Sequence, residues 1–215
     1  RIFRIGIVFI HLLTKSSKMK TSTQIWKIAA TIILALTSLT FCAQTEKSTV
    51  FLEDWESGIG SWYADNGLWE VGVPTVGPSG THSGTNCVGT VLDGNYPSNA
   101  NTRLISPSIY LESPAEGEII QLKFWQWFSI EDGDDQGYLQ ISENSGDWVT
   151  ISSVDIDGGN PAWSQYVADL TSYAGSSIRI GFYFTSNYDG SLGSGWYIDD
   201  VSIETGIVTM PNPED

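Results

Sequence analysis

Carboxylates are the residues whose type and spacing could do chemistry in this chain. Asp54 and Glu56 stand two apart in a run that reads as strand, Val50–Trp55, so both side chains are expected on one face. Asp199 and Asp200 stand side by side near the other end. Oxygen-rich sets of this kind suit a hard cation such as calcium, which takes roughly six to eight oxygens. The plainer reading is surface charge and turn hydrogen bonds. A third group, Glu131-Asp132-Gly133-Asp134-Asp135, is dense but lacks the spacing of an EF-hand loop, and reads better as a solvated hairpin tip. Glycoside hydrolysis needs two carboxyls roughly 5–9.5 Å apart across a cleft. Glu53-Asp54-Trp55-Glu56 does not offer an E-x-D-x-E strand, so a sandwich-fold glycoside hydrolase would need acids from separate strands.

Nucleophile chemistry is thin. His82 is the sole histidine after residue 43, so HExxH and His-rich zinc sites are absent. A Ser–His–Asp triad would have to use it, and a Gly/Ser-rich turn suits a loop-stabilising hydrogen bond better. Cys87, followed by Val88, is expected to pack inside as an inert thiol. Aromatic rings are the remaining candidates, because flat faces stack on the apolar faces of sugars. Trp125, Trp127, Tyr138 and Tyr183 are the candidate ligand-binding residues, with Trp148, Trp163 and Trp196 as further rings. The competing expectation is that most tryptophans fill the core.

Charge bounds the partners. Six of the ten basic residues precede Ala43, and all 25 acidic ones follow it. Only Lys47, Arg103, Lys123 and Arg179 oppose them, so the chain from Gln44 carries −21. Such a surface repels phosphate backbones, which excludes nucleic acid as a partner class. The first 43 residues read as a leader. Residues 1–18 form an upstream extension, Met19 is the expected start, and Lys20 and Lys27 flank the apolar run Ile28–Phe41 of a helical signal peptide. Cleavage is expected near Ala43. Lipidation at Cys42, three after Leu39, and an uncleaved anchor are the alternatives. A secreted or cell-surface domain without stable membrane insertion follows, spanning 44–205, with 206–215 as a linker or truncated tail around Pro211-Asn212-Pro213.

The elements that must position these residues are short and β-type. Ten runs qualify: Val50–Trp55, Leu68–Val71, Cys87–Leu92, Thr102–Ile109, Ile119–Ile130, Gly137–Ser142, Trp148–Val154, Trp163–Leu170, Ile178–Thr185 and Gly195–Glu204. Turn-forming stretches rich in Gly, Asn, Asp, Ser and Pro separate them. Ile178, Ile180, Phe182 and Phe184 alternate with Arg179, Gly181 and Tyr183; Leu122 and Phe124 alternate with Trp125 and Trp127. No helical period follows Ala43. The fold class is therefore all-β, an antiparallel jelly-roll β-sandwich of two sheets.

Several residues carry a family likeness. Asp54-Trp55-Glu56-Ser57-Gly58 resembles the D-F-E-x-G opening of MAM domains and of jelly-roll modules attached to immune inhibitor A-like peptidases. Leu104-Ile105-Ser106-Pro107 is similar to their L-x-S-P signature, and Gly195-Trp196-Tyr197-Ile198-Asp199-Asp200-Val201 to their closing IDD[VI] strand. His82-Ser83-Gly84 and Gly94-Asn95-Tyr96 resemble the bacterial variety. The resemblance implies first and last strands side by side, with Asp54, Glu56, Asp199 and Asp200 close enough to share a structural calcium. It implies a non-catalytic extracellular binding or adhesion module whose partner is a glycan or an extracellular protein. A carbohydrate-binding module accessory to a hydrolase is the alternative.

Overall fold

Alternation at every second residue dictates the architecture. Strand β11 (Ser177–Thr185) buries Ile178, Ile180, Phe182 and Phe184 and turns Arg179 and Tyr183 outward. Strand β7 (Glu118–Ser129) likewise buries Ile120, Leu122 and Phe124, with Lys123, Trp125 and Trp127 on its other face. Each strand is thus two-faced, and two sheets must close over the apolar sides. The computed structural model describes residues 47–131, 133–151, 156 and 158–207. The expectations for the leader, Cys42 and the tail from 208 lie outside them.

Both sheets are antiparallel. In the first, β10 (Gly159–Asp169) pairs with β7, and β7 with β12 (Gly195–Ile207). The far side of β12 is shared by β1 (Ser48–Glu53) and β4 (Cys87–Gly89), the latter continuing to β3 (Glu70–Gly72). In the second, β2 (Tyr63–Ala64), β5 (Asn101–Ile105), β11, β8 (Gln136–Glu143) and β9 (Trp148–Thr150) follow one another. Strand β6 (Ile109–Tyr110) occupies the other stretch of the β11 edge. A single 3-10 turn, Thr171–Tyr173, is the sole helical element among the described residues. The jelly-roll β-sandwich is the fold.

Phe182 is the hinge point of the core. It stacks on Trp62 at 6.1 Å and meets Phe124 at 5.0 Å and Trp196 at 5.5 Å, both edge-on. Phe124 and Trp196 come from the first sheet, so one ring joins the two layers. Trp196 is fully buried, and its indole N–H donates to Gln126 Oε1 at 3.2 Å. Glu204 on β12 accepts Lys47, just before β1, at 2.5 Å and Lys123 of β7 at 3.0 Å. That bridge ties β1, β12 and β7 together at one end.

Three local expectations are corrected. Thr102–Ile109 is not one strand: Ser106-Pro107-Ser108 interrupts it, because proline has no ladder donor. Tyr63–Ala64 is an additional short strand on β5. Strand β1 ends at Glu53, so Asp54 and Glu56 are not strand neighbours sharing a face. Trp55 adopts φ 61° and dives into the core, fully buried, while the Glu53 carboxylate accepts its N–H at 3.2 Å. Burial of a large indole outweighs the left-handed backbone cost.

Candidate functional site

The first and last strands do run side by side, with Glu53 opposite Val201. Just before that pair, β12 departs from its register with β7 between Asp199 and Ser202, and Asp200 takes φ 48°. The irregularity lets two successive carboxylates reach one loop, residues 82–86. Asp199 is fully buried; its Oδ2 accepts the His82 and Ser83 N–H groups at 3.0 and 3.2 Å, and its Oδ1 the Asp200 N–H at 2.8 Å. Asp200 Oδ2 lies 2.6 Å from His82 Nδ1, and its Oδ1 accepts the Ser83 hydroxyl at 2.8 Å. From the other side Glu56 Oε1 accepts the Thr85 and Asn86 N–H groups at 2.8 and 2.7 Å. Asp54 closes only its own turn, accepting the Glu56 N–H at 3.1 Å.

Glu56, Asp199 and Asp200 therefore meet on one loop, and Asp54 stands apart in its turn. Their oxygens face N–H and O–H donors. Among the described residues no group of three or more His, Cys, Asp or Glu side chains converges as a metal site. A calcium ion here would have to displace His82 and Ser83 from Asp200. Electrostatics fit a strained acid pair: burial, helped by the neighbouring Asp200 charge and opposed by the amides, pushes the Asp199 carboxyl up to about 6. Burial and then the Asp199 charge push the Cys87 thiol up to about 12, which keeps it protonated.

Trp125 and Trp127 are half-buried beneath the long β3–β4 connection, residues 73–86. The His82 ring stacks on Trp125 at 3.9 Å, and Trp163 of β10 meets His82 edge-on while donating its indole N–H to Gly80 O at 3.0 Å. Trp127 packs edge-on to Tyr197 at 5.4 Å, and Tyr197 donates to Val76 O at 2.9 Å. Cys87, Leu92 and Tyr197 form a second small core there, with Trp127 and Trp163 against it. Gly77 is required by the fit: a Cβ would lie 2.7 Å from the Tyr197 ring, and its φ is 92°. These rings hold the loop that the acids clasp.

The outer face of the second sheet differs. Tyr138, Tyr183 and Arg103 stand in one register row across β8, β11 and β5. The two tyrosine rings stack at 6.0 Å with 26° between planes. The Arg103 guanidinium lies over Tyr183 at 4.6 Å and over Trp148 at 4.7 Å. It is fixed there by Asp65 at 3.0 Å and by Gln140 Oε1, which accepts its Nε–H at 2.9 Å. Gly181 makes room: a Cβ would lie 2.7 Å from both Arg103 Cδ and Trp148 Cζ3. Tyr183 donates to Asn101 Oδ1 at 3.2 Å, and Tyr138 to Gln136 Oε1. Asn101 also lines a hollow of about 400 Å³ with Asn66, Ser98 and Asn99. Tyr138 and Tyr183 are candidates from the sequence, and Trp148 is among its further rings; Arg103 is not, because its placement depends on strands distant in sequence.

The acidic hairpin between β7 and β8 is only partly solvated. Asp135 is fully buried, accepting the Tyr96 hydroxyl at 2.7 Å and the Asn187 N–H at 2.7 Å. Asp132 lies outside the described residues. Two hydrogen bonds offset the desolvation of Asp135, a feature no local pattern announces.

No family model matches the sequence. Bacillopeptidase F of Bacillus subtilis (strain 168) is 35% identical over 154 residues, which is 70% of this chain and 10% of that protein. The chain thus spans about a tenth of the length of the curated relative it matches. Among solved structures, the K3 cleaved adhesin domain of Lys-gingipain from Porphyromonas gingivalis w83 is similar at 20% identity and TM-score 0.48, over 73% of this chain and 98% of that one. TmCBM61, solved in complex with β-1,4-galactotriose, is similar at 18% identity and TM-score 0.47, over 70% and 92%.

Proposed function

We propose that this chain is a non-catalytic, extracellular binding module that takes a glycan on the outer face of its second sheet. The row of flat groups Trp148, Arg103, Tyr183 and Tyr138 carries the reading. Stacked rings offer the apolar faces that pyranose rings lie on, and Gln140, Gln136 and Asn101 supply the amides that orient hydroxyls. The first sheet's rings are committed to holding a loop, so they offer less.

Catalysis is disfavoured by the same geometry. The Ser83 hydroxyl donates to Asp200, and His82 bonds that same carboxylate, so the serine–histidine contact of an activated nucleophile is not made. The likeness to a tenth of bacillopeptidase F supports an accessory segment alongside a separate hydrolase. Export rests on the leader read in residues 19–43; among the described residues no helix is long and apolar enough to cross a membrane. MAM-like kinship rests on the residues that carry it. A structural calcium on Glu56, Asp199 and Asp200, with Asp54 as the outlying fourth of the set, stays within the proposal; its support is the meeting of β1 and β12.

The test is a glycan array followed by titration calorimetry on the hits, with Tyr183→Ala and Trp148→Ala. Each substitution should weaken binding at least tenfold while leaving the melting temperature within a few degrees. Saccharide binding that survives both, or none to any saccharide, overturns the reading.

A further inference from the structure

The cations of this domain are few enough to account for one by one. Among the described residues four remain to set against the acids: Lys47, Lys123, Arg103 and Arg179. Lys47 and Lys123 share Glu204, and Arg103 holds Asp65. Arg179 has no carboxylate within 4.0 Å among the described residues, in a domain with a large excess of acids. It projects from β11 on the same outer face as Tyr183, and its register partner on β8, Ser142, is in turn opposite Trp148. One arm is held: Nη1 donates to the Tyr63 hydroxyl at 3.0 Å. Arg179 is half-buried as a residue, and its guanidinium is oriented by this bond with donors left over.

From this we infer that the saccharide bound on the second sheet bears a carboxylate, a uronic acid residue, which Arg179 reads. The inference rests on the glycan reading above and specifies its ligand class. A guanidinium fork matches a planar carboxylate through two parallel hydrogen bonds, and Tyr63 pre-sets its direction. The domain's own charge limits the choice further. A polyuronate would be repelled along its length, so the fitting ligand is a largely neutral chain with an isolated acidic residue.

The experiment compares three forms of one xylo-oligosaccharide by calorimetry on the full chain: with a single glucuronate, with that glucuronate as its methyl ester, and with a sulfate in its place. The free acid should bind about tenfold tighter than the ester, the span of one charge-assisted contact at a partly exposed site. Arg179→Gln should erase that difference, bringing acid and ester to the same affinity, while Arg179→Lys keeps only part of it. Equal affinity for acid and ester, or a preference that persists in Arg179→Gln, overturns the inference while the glycan reading stands. A sulfate form that binds tighter than the uronate overturns the carboxylate assignment. Failure of all three forms to bind, with no array hit either, sinks the underlying reading instead.

Discussion

Burying Asp199 beside Asp200 has a measurable consequence for how stability depends on pH. As its side chain stands, the carboxyl titrates at about 6, against roughly 3.9 in an unfolded chain. The folded protein therefore binds the proton more tightly than the unfolded one. The stabilisation is fully present below about pH 3.9 and is lost as pH rises through about 6. The displacement caps the effect at about 3 kcal/mol. Asp199→Asn removes the titration while keeping the shape. The offset between the two proteins at neutral pH mixes charge with hydrogen bonding, so its change with pH is the readout. Asp200, His82 and Cys87 face the site in both proteins, and their contributions cancel to first order. Urea titrations at pH 7, 6, 5 and 4 in EDTA should show wild type gaining on Asp199→Asn by up to about 3 kcal/mol as pH falls. Calcium on the same oxygens reverses the sign: it favours the charged carboxylate, so wild type would lose ground on acidification and its melting temperature would rise with added calcium. A flat difference across the EDTA series would refute the strained acid, and a melting temperature that does not respond to added calcium would refute the metal.

Other perturbations test other parts of the architecture. Gly181→Ala places a methyl 2.7 Å from Arg103 Cδ and Trp148 Cζ3; these ends can swing away, so chemical denaturation should move by no more than about 1 kcal/mol while saccharide affinity falls at least tenfold. Phe182→Ala empties the contact between the layers and should cost about 3–5 kcal/mol in urea unfolding, several-fold more than Tyr183→Ala on the outer face. Cys87 should resist Ellman's reagent in the native protein and react within minutes after denaturation, since burial holds its thiol up at about 12.

Much of the fold was legible because a strand's period is fixed by its pleat. The inward set of β11 and β7 could be read residue by residue, and so could the antiparallel class. The breaks were harder. Trp55 leaves the strand although it follows the β-type run Val50-Phe51-Leu52, because the gain from burying its indole is a tertiary quantity that no local propensity contains. Ser106-Pro107 carried a signal that could have split its run, since proline cannot serve a ladder. The acids were named as a set, and three of the four, Glu56, Asp199 and Asp200, bond one loop, residues 82–86, without gathering into a metal cluster among the described residues. What they converge on is a loop of N–H donors around His82, which lies 117 residues from Asp199 in the chain. Spacing within a strand says which way a carboxylate points and nothing about what comes to meet it.

The same limit separates the two aromatic faces. In sequence, Trp125 and Trp127 on β7 look as good a sugar platform as Tyr138 and Tyr183, and with larger rings they look better. The difference is the β3–β4 connection: its Gly80 carbonyl takes the Trp163 indole and its His82 lies flat on Trp125. Once a histidine ring fills the stacking position, a sugar must compete with the acid clasp that holds that histidine. The second sheet's outer face has a different tenant, the Arg103 guanidinium, itself a polar group able to hydrogen-bond an incoming hydroxyl. A face capped by a ring that is locked to the Asp200 carboxylate contributes stability; a face capped by a guanidinium with donors to spare is suited to recognition. Weakening the clasp should therefore loosen the loop without creating a binding site that matches the second sheet's.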